Sequence, residues 1–515
     1  MSMREKSLFS KNDLQQMKNL GLSSGDVGKQ LATYRYGSNF SKLNRTCIVK
    51  DGIFSFTPAQ RKKLIALYDK ESVKYKLIKF VPASGAASRM FAKWFPASEN
   101  GSFGSAALDQ SFLRDLKRFP FFSLIEKDKR GRTLLGKKNI KGLLIFILSS
   151  NCLNFGQIPK ALIPSHRYLT GEMRTALEEH LCEAKQYICN KNGVCRLHFT
   201  LLRDQKTDVA RFLKTMIVKY EKLYKVKYKI TLSIQGSSTN TVAVDENNLP
   251  LRDANGVIVF RPGGHGTLLK NLNSLNADFI FIKNIDNIAP EPLLDKILPY
   301  KKMLGGLAIQ IREEIFACIR QLESKKISLA QLENIIFFCS KKLNIIFPRD
   351  FPRQSQKQKI QFIFSMLNRP LRVCGMVKHE GEPGGGPFWV EENDGKRTLQ
   401  IIESGHVDKS KPEQLAIWSQ AKYFNPVDLI CSIKNYKREK FNLHNYVNND
   451  AYLITSKNEK GLKMKALEVP GLWNGGMAYW NTLFVELPLI VFNPVKTVYD
   501  LLRPEHLIQL CKKVH

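Results

Sequence analysis

The sequence of 515 residues lacks the features that would place it in a membrane or direct it out of the cell. No apolar run approaches the roughly 20 residues that a helix needs to cross a bilayer. The longest candidate, GLLIFIL at 142–148, is far too short. The start, MSMREKSLFSKND, has no apolar segment of the signal-peptide type. We therefore expect a cytoplasmic protein that is not associated with a membrane.

The ten cysteines follow no metal-binding pattern. Nowhere are two of them separated by two residues, which is the spacing that zinc knuckles and redox dithiols use. We interpret them as reduced, mostly structural thiols.

Acidic residues are scarce relative to basic ones: 46 Asp and Glu face 80 Lys and Arg, which gives a net charge of +34. Clustered cations can bind the phosphates of a nucleic acid. Here, however, they form short groups such as KDKRGR at 127–132, without a long basic tail or a recognisable nucleic-acid module. We interpret most of them as solvated surface that also attracts anionic nucleotides. A basic nucleic-acid-binding protein is the less favoured alternative.

What the sequence does contain is an alternation of strand-like runs and helices. Thr57 is the expected N-cap of an early helix. The strand-like runs are LIKFVP (77–82), RLHFTLL (196–202), YKITLSIQ (228–235), GVIVF (256–260), FIFIK (279–283), LRVCGMV (371–377), TLQIIES (398–404), VDLICSI (427–433) and LFVELPLIVF (483–492). Such alternation predicts an α/β sheet with crossover helices, in which ligands bind at the carboxyl ends of the strands.

The predicted domain organisation has three parts. Residues 1–75 are expected to form a helical segment, 76–503 the main domain and 504–515 a C-terminal tail. Within the main domain, 97–139 is expected to be an irregular insertion and 305–366 a helical one.

Two loops carry residues suited to phosphate. SGAASRM at 84–90 offers the small residues Ser84 and Gly85, which let a ligand approach the backbone, and Arg89 supplies a fixed cation. Lys160, after a proline, is a second candidate cation. A small-residue turn with a surface arginine explains the first loop equally well, and a single lysine is weak evidence.

The stretch RPGGHG at 261–266 precedes an apparent helix. Gly263 and Gly264 remove side chains where a flat base or a ribose could lie, and His265 brings a hydrogen-bonding ring. The pattern is neither a P-loop nor a GxGxxG fingerprint, because GK[ST] is missing and Leu269 interrupts the glycine spacing. A plain glycine turn before a helix is the alternative.

Three further side chains follow apolar runs. Asp286 comes after FIFIKNI with no Lys or Arg next to it in the sequence, which suits a hard cation such as Mg²⁺; an Asx turn is the structural alternative. Glu403 could accept hydrogen bonds from the hydroxyls of a sugar, and Lys496 follows a proline-fixed turn. Each of these features alone is more often structural than functional.

Taken together and in this order, the motifs resemble the UDP-sugar pyrophosphorylases, the uridylyltransferases that make UDP-glucose and UDP-N-acetylhexosamines. The resemblance covers roughly residues 77–503. The matching segments are SGAASRM, Pro159-Lys160, PGGHG, Asn284-Ile285-Asp286-Asn287, GGGPFWVEENDGKRTLQIIES and PVKTVYDLL. As a whole, the chain is more similar to a bacterial family catalogued only as a domain of unknown function, DUF4301, which shares these landmarks.

The resemblance implies a fold and a set of roles. The implied fold is the nucleotide-diphospho-sugar transferase type (GT-A), with a Rossmann-like, mixed and mainly parallel α/β sheet and flanking helices. The implied roles are catalytic neutralisation of phosphates by Arg89, Lys160 and Lys496, binding of Mg²⁺ by Asp286, contacts to the base by Gln235 and Gly264, to the nucleotide by His265 and to the sugar by Glu403, and further substrate contacts by Ser84, Gly85, Gly263 and Asn284.

Three departures from the family pattern bear on activity. Ser84 and Ala87 stand where the family has glycines, and their side chains could crowd the phosphates. Arg89 and Lys160 are farther apart than is usual, consistent with an insertion. Thr267 replaces the acidic residue that usually follows PGHG.

The sequence therefore predicts a sugar-1-phosphate nucleotidyltransferase, with a nucleoside triphosphate and a sugar 1-phosphate as its partners and Mg²⁺ as its cofactor. The alternative is a non-catalytic or differently specialised nucleotide-sugar-binding protein on the same fold, which the altered glycine loop favours. Both depend on the expectation that the loops converge at one edge of the sheet. The base, the sugar and the oligomeric state stay open.

Overall fold

The computed structural model describes residues 9–85, 87–324, 327–381, 384–392, 394–459 and 462–511. The helices are α1 (Lys11–Leu20), α2 (Ser24–Tyr36), α3 (Pro58–Glu71), α4 (Trp94–Asn100), α5 (Ala106–Leu116), α6 (Phe122–Lys127), α7 (Lys129–Gly136), α8 (Ile140–Leu148), α9 (Ala176–Tyr187), α10 (Lys206–Tyr224), α11 (Leu269–Ser274), α12 (Glu291–Leu322), α13 (Leu329–Lys342), α14 (Gln356–Leu367), α15 (Pro412–Ser419) and α16 (Ile508–Cys511). The strands are β1 (Lys42–Thr46), β2 (Ile48–Val49), β3 (Gly52–Phe54), β4 (Leu77–Pro82), β5 (Pro164–Arg167), β6 (Met173–Thr175), β7 (Val194–Leu201), β8 (Lys227–Ile234), β9 (Asn240–Val244), β10 (Phe260–Pro262), β11 (Phe279–Lys283), β12 (Leu371–Lys378), β13 (Gly386–Glu391), β14 (Arg397–Ile402), β15 (Tyr423–Phe424), β16 (Asp428–Ser432), β17 (Leu453–Glu459), β18 (Leu462–Glu468) and β19 (Asn481–Leu487). Residues 1–8 of the predicted N-terminal segment, Ala86 of the first loop and 512–515 of the predicted tail lie outside the described residues.

The chain divides into two compact units, each assembled from stretches that are distant in the sequence. The first unit comprises Met1–Lys63, Gln235–Phe279 and Gly306–Leu487. The second unit comprises Leu64–Ile234, Ile280–Gly305 and Pro488–His515.

The second unit contains a sheet with the strand order β11-β4-β7-β8. β4 pairs with β7 and β7 with β8, both in parallel. β4 and β11 are buried along almost their whole length, which explains their unbroken apolar sequences. α10 lies between β7 and β8 in the chain and provides the crossover connection that a parallel pair needs.

In its described residues, the first unit holds three sheets. In the largest, the strands follow the order β2-β3-β19-β12-β16, and β15 also pairs with β12. β12 is parallel to β19, and β19 to β3, whereas β12 and β16 are antiparallel. The smaller sheets, β1-β13-β14 and β10-β9-β18-β17, are antiparallel. These mixed, mainly parallel strands confirm the predicted α/β fold class.

The N-terminal region contains strands as well as the expected helices. Thr57 caps α3 as predicted, because its Oγ1 accepts the N–H of Gln60 and the Gln60 side chain accepts the N–H of Thr57. Residues 42–54, however, form β1, β2 and β3, so the expectation of helix does not hold there. Strands of two to five residues are too short to show a period of two in the sequence.

The expectation of irregular structure at 97–139 is wrong, because α4 to α7 cover most of this segment. The fully buried ring of Trp94 lies 5.4 to 6.4 Å from the rings of Phe112, Phe119 and Phe121. These aromatic contacts stabilise helices of only six to eleven residues, which are too short to be recognised by their own periodicity.

Two predicted strands also differ from the structure. In the run at 256–260, only Phe260 belongs to a strand, and Ile258 forms an isolated bridge with Arg252. The strand predicted to reach residue 492 ends at Leu487, because the next residue is a proline, which has no N–H for the ladder. None of the described helices combines the length and the apolar composition that crossing a bilayer requires.

His198 on β7 provides a test of the second unit through the pH dependence of its stability. Its ring stacks on Phe80 and is hydrogen-bonded to Thr231 and Ser233, and burial lowers its pKa to about 4. The unfolded chain binds a proton near the ordinary pKa of 6.5 but the folded chain does not, so stability falls as the pH drops below that value. For one such group, the free energy of unfolding decreases by about 2 kcal/mol between about pH 7.5 and about pH 5. His198→Gln should lose this contribution in urea unfolding, and an unchanged pH dependence would contradict the assignment.

Candidate functional site

The turn at 284–287 stands where β11 ends. The N–H of Ile285 donates to the carbonyl of Pro82, the last residue of β4, at 3.1 Å. β4 and β11 are neighbours in the sheet of the second unit. The loops after these two strands, which carry Gly85 and Asp286, therefore start at the same edge of that sheet, where α/β proteins bind ligands.

Lys160 lies beside Asp286, with Nζ 3.6 Å from Oδ2. The N–H of Lys160 donates to the carbonyl of Gly85 at 3.3 Å, which holds the Pro-Lys loop against the first glycine loop. Burial lowers the pKa of Lys160 and the charge of Lys496 adds to this effect, while Asp286 opposes it. The sequence shows no cation next to Asp286, whereas the structure supplies one from a distant part of the chain.

The loop that carries Lys496 is hydrogen-bonded to the same turn. The N–H of Val495 donates to the carbonyl of Asp286 at 2.8 Å. The N–H of Asn493 donates to the side chain of Asn287 at 3.0 Å. The first glycine loop, the Pro-Lys loop, the Asp286 turn and the Lys496 loop therefore come together in the second unit, whereas the PGGHG loop and Glu403 belong to the first unit.

Asp500 is a residue of this group that sequence reasoning missed. Its Oδ2 accepts the N–H of Lys496 at 2.9 Å and the N–H of Thr497 at 2.7 Å, and its Oδ1 lies 2.9 Å from Nη2 of Arg503. The carboxylate thus fixes the backbone from which Lys496 projects. The spacing of Thr497 and Asp500 is that of a capping box, which is the signal that could have revealed it.

Ser84, Arg89 and Asn284 lie in the same unit, but their side chains take no part in this network. Ser84 and Asn284 are half-buried, and Arg89 is exposed at the end of the 3₁₀ turn Ala87–Arg89. Within the part of the chain that the structure describes, the Arg89 guanidinium has no hydrogen bond or ion pair. It is therefore available to a ligand but is not held in place.

A buried charge cluster adjoins the Asp286 turn. Glu183 of α9 accepts hydrogen bonds from Nζ of Lys79 on β4 and from Nζ of Lys283 on β11, both at 3.0 Å, and all three side chains are at most 3% exposed. Burial opposes ionisation of Glu183, but the charges of the two lysines hold its pKa well below the usual value. Nε2 of His180, on the same helix, lies 3.3 Å from the carbonyl of Ile285. Sequence reasoning missed this cluster because a lysine within a strand is normally a surface residue.

Asp286 is suited to share a magnesium ion with bound phosphates rather than to hold one in a protein cage. Among the described residues, no group of three or more His, Cys, Asp or Glu side chains is placed to hold a metal ion. Mg²⁺ usually takes one or two carboxylates, while substrate phosphates and water complete its shell. The Asp286 side chain is 24% exposed, so it can reach such an ion.

In the first unit, three neighbours fix His265. Its Nδ1 accepts the N–H of Leu472 at 3.1 Å, and its ring stacks on Trp473 with the centroids 4.3 Å apart. Because Nδ1 is an acceptor, we infer that the proton of the neutral ring is on Nε2, which lies 3.6 Å from Oε1 of Glu403. Trp473 was not among the predicted residues, because only the folded chain brings it to the histidine.

The Glu403 carboxylate is ionised at neutral pH. Burial opposes its ionisation, but the hydrogen bond of His265, with further contributions from His406 and Asn474, lowers its pKa. Its side chain is 33% exposed. An anionic, partly exposed carboxylate can accept hydrogen bonds from hydroxyl groups, which is the chemistry expected of a sugar-binding residue.

The remaining predicted residues of the first unit are less closely connected to this pair. A Cβ on Gly263 would meet the carbonyl of Thr239 at 2.7 Å, so packing alone requires glycine there. Gln235 is half-buried directly after β8. In the described part of the chain, no hydrogen bond links it to His265 or Glu403.

Comparisons with known proteins give a family and a set of similar folds. The family described as "Domain of unknown function (DUF4301)" matches residues 10–507. The chain is similar in fold to the uridine diphosphate N-acetylglucosamine pyrophosphorylase of Trypanosoma brucei, at 12% identity and a TM-score of 0.49, over 98% of this chain and 79% of that one. It is also similar to the UDP-glucose pyrophosphorylase of Leishmania major, at 13% identity and a TM-score of 0.46, over 98% and 79% of the two chains. A search among curated proteins finds no match.

Gly264 allows a test of the backbone conformation that presents His265. It has φ +78°, and an added Cβ would lie 3.0 Å from Oε2 of Glu468. Gly264→Ala should therefore lower the free energy of unfolding by about 1–3 kcal/mol in urea titrations. Gly256→Ala is the matched control, because Gly256 has φ +75° but open space around its Cβ position. Equal losses in the two variants would show that crowding at Glu468 contributes nothing.

Proposed function

The chain belongs to the DUF4301 family, and we propose that it is a sugar-1-phosphate nucleotidyltransferase. Such an enzyme joins a nucleoside triphosphate and a sugar 1-phosphate into a nucleotide sugar and releases pyrophosphate. One observation carries the proposal: in the second unit, hydrogen bonds and an ion pair connect the Gly85 loop, Lys160, the Asp286 turn and the loop of Lys496. Lysines and a carboxylate gathered at strand ends suit the binding of a polyphosphate together with its metal ion.

The reaction needs charge neutralisation more than proton transfer. The nucleophile is an oxygen of the sugar 1-phosphate, which is already anionic at neutral pH and requires no general base. As it bonds to the α-phosphorus, the bond from that phosphorus to the bridging oxygen breaks, and the electron pair leaves with pyrophosphate. Lys160 and Lys496 would bind phosphate oxygens, orient them and offset the charge of the transition state. The same role is proposed for Arg89.

Asp286 is the residue proposed to hold Mg²⁺, together with phosphate oxygens of the substrate. When bound, the ion would reduce the repulsion between the attacking anion and the phosphates. The N–H of Val495 binds the main-chain carbonyl of Asp286 and not its side chain. The carboxylate is 24% exposed and would be the group that contacts the ion. Lys160, 3.6 Å from that carboxylate, is placed to contact the same phosphates.

For the first unit, we propose roles in recognition. Gln235 and Gly264 would contact the base, His265 the nucleotide, and the Glu403 carboxylate the hydroxyls of the sugar. The resemblance of the sequence motifs to the UDP-sugar pyrophosphorylases favours a UDP-sugar as the product. The Glu403 carboxylate is ionised and lies near Nε2 of His265, which supports the proposal that it accepts hydrogen bonds from the sugar hydroxyls.

A second function, the binding of nucleotide sugars without turnover, is favoured by the composition of the first loop. Ser84 and Ala87 add side chains to the segment that precedes Arg89. Gly85 keeps the backbone open, since an added Cβ there would meet only Cδ of Lys160, at 3.9 Å. Calorimetric binding of UDP-glucose by a wild-type protein that releases no pyrophosphate would favour this second function.

Asp286→Ala should abolish pyrophosphate release, measured with the common nucleoside triphosphates and a panel of sugar 1-phosphates, with and without Mg²⁺. Loss of the carboxylate assigned to the metal should lower kcat/KM by about 100-fold or more. Asp204→Ala is the control, because it removes an exposed carboxylate from the same unit. Urea unfolding establishes that both variants are folded, and retained turnover in Asp286→Ala would eliminate the metal role.

Lys160→Met should raise the KM for the nucleoside triphosphate and lower kcat, because the lysine binds phosphate both in the ground state and in the transition state. The expected loss in kcat/KM is again about 100-fold. Lys214→Met, on an exposed position of α10, changes the net charge equally and should be neutral. Wild-type kinetics for Lys160→Met would show that this lysine only pairs with Asp286.

A further inference from the structure

The connection between α9 and β7 places two cysteine side chains side by side. Cys189 follows the end of α9, and Cys195 is the second residue of β7. Both are free thiols, and their Sγ atoms lie 2.7 Å apart. A disulfide bond is close to 2.05 Å long, so the two sulfur atoms need to approach by only about 0.7 Å to bond.

The turn between the two cysteines explains why they face each other. The N–H of Asn190 donates to the carbonyl of Val194 at 3.2 Å, and the N–H of Gly193 to the carbonyl of Asn190 at 2.9 Å. The side chain of Asn190 also accepts the N–H groups of Asn192 and Val194, at 3.1 and 2.9 Å. Gly193, with φ +67°, supplies the left-handed conformation that closes the turn. The residues just outside this closed turn, the two cysteines, are thereby held opposite each other.

We propose that Cys189 and Cys195 are a site of reversible disulfide formation, with a low-molecular-weight disulfide such as oxidised glutathione as the oxidant. Cys189 is half-buried and can meet such a reagent, whereas Cys195 is buried. Burial and the neighbouring thiol raise the pKa of Cys195, so its thiol is the less reactive of the two in the first encounter.

The exchange takes place in two steps. The Cys189 thiolate attacks one sulfur of oxidised glutathione, forms a mixed disulfide and releases one glutathione thiolate. Cys195, after losing its proton, attacks Sγ of Cys189, and the bond to the second glutathione breaks. In total, the two protein thiols are oxidised to one disulfide, one glutathione disulfide is reduced to two thiols, and the two protein protons end on glutathione.

Trypsin offers a direct measurement, because Lys191 lies within the turn. Cleavage at Lys185, Lys191 and Arg196 gives the peptides QYICNK (186–191) and NGVCR (192–196), each with one of the two cysteines. The purified full-length protein is equilibrated in glutathione buffers of defined redox ratio, alkylated with iodoacetamide and digested without reduction. Mass spectrometry should find the two peptides joined, in a fraction that increases with oxidised glutathione and vanishes after dithiothreitol.

Variants separate this pair from the other thiols. Cys195→Ser should retain glutathione on Cys189 as a stable mixed disulfide, because the resolving thiol is gone. Cys152→Ser is the matched control, since Cys152 is also half-buried, and it should form the linked peptides like the wild type. The proposal is overturned if wild-type Cys189 carries glutathione while Cys195 is alkylated, if both are alkylated at every ratio, or if the link appears only in urea.

Discussion

The interior of the second unit depends on the hydrogen bonds that the Glu183 carboxylate accepts from two lysines. Nζ of Lys79 and Nζ of Lys283 each donate to it at 3.0 Å, and all three side chains are buried. Burying three charged groups is unfavourable unless each has a partner, and removing one partner of a buried pair typically costs about 3–5 kcal/mol. Here a single carboxylate is the hydrogen-bond and ion-pair partner of both lysines. Burial outweighs the attraction of Glu183 and lowers the pKa of Lys79 to about 7.

The same carboxylate links the two strands that lead to the Asp286 turn. Lys283 is the last residue of β11, and Lys79 lies on β4, whose final carbonyl, that of Pro82, accepts the N–H of Ile285. His180, one turn before Glu183 on α9, contacts the carbonyl of Ile285. The backbone of the turn is thus fixed by buried groups. The Asp286 carboxylate takes no part in these contacts and faces Lys160.

How much of this could be predicted from the sequence depends on whether the signal is local. LIKFVP is β4 with the same bounds, because an apolar run ended by proline specifies both the strand and its end. Asp286 and Lys160 were named as site residues through the family resemblance, because a single lysine is weak evidence in the sequence, and the structure places them 3.6 Å apart. The buried cluster beneath the turn was not predicted, because Lys79 looks like a surface lysine in the sequence and only the fold brings Glu183 of α9 to it. The prediction for 97–139 failed for the same reason, because the short helices there are stabilised by tertiary aromatic contacts that the sequence does not show.

The arrangement of charge around Asp286 adds a last argument about what this group of loops is built to bind. Burial lowers the pKa of Lys160 and the charge of Lys496 adds to this effect, while the carboxylates of Asp286 and Asp500 oppose it. Burial disfavours an isolated cation, so Lys160 depends on nearby anions, and the carboxylate of Asp286, 3.6 Å away, is one of them. A bound polyphosphate would further favour the charged form of Lys160, while Asp500 keeps the backbone of the Lys496 loop in place by accepting its N–H groups. An anionic ligand and this buried lysine would therefore stabilise each other, which is what the phosphate-binding role proposed for Lys160 requires.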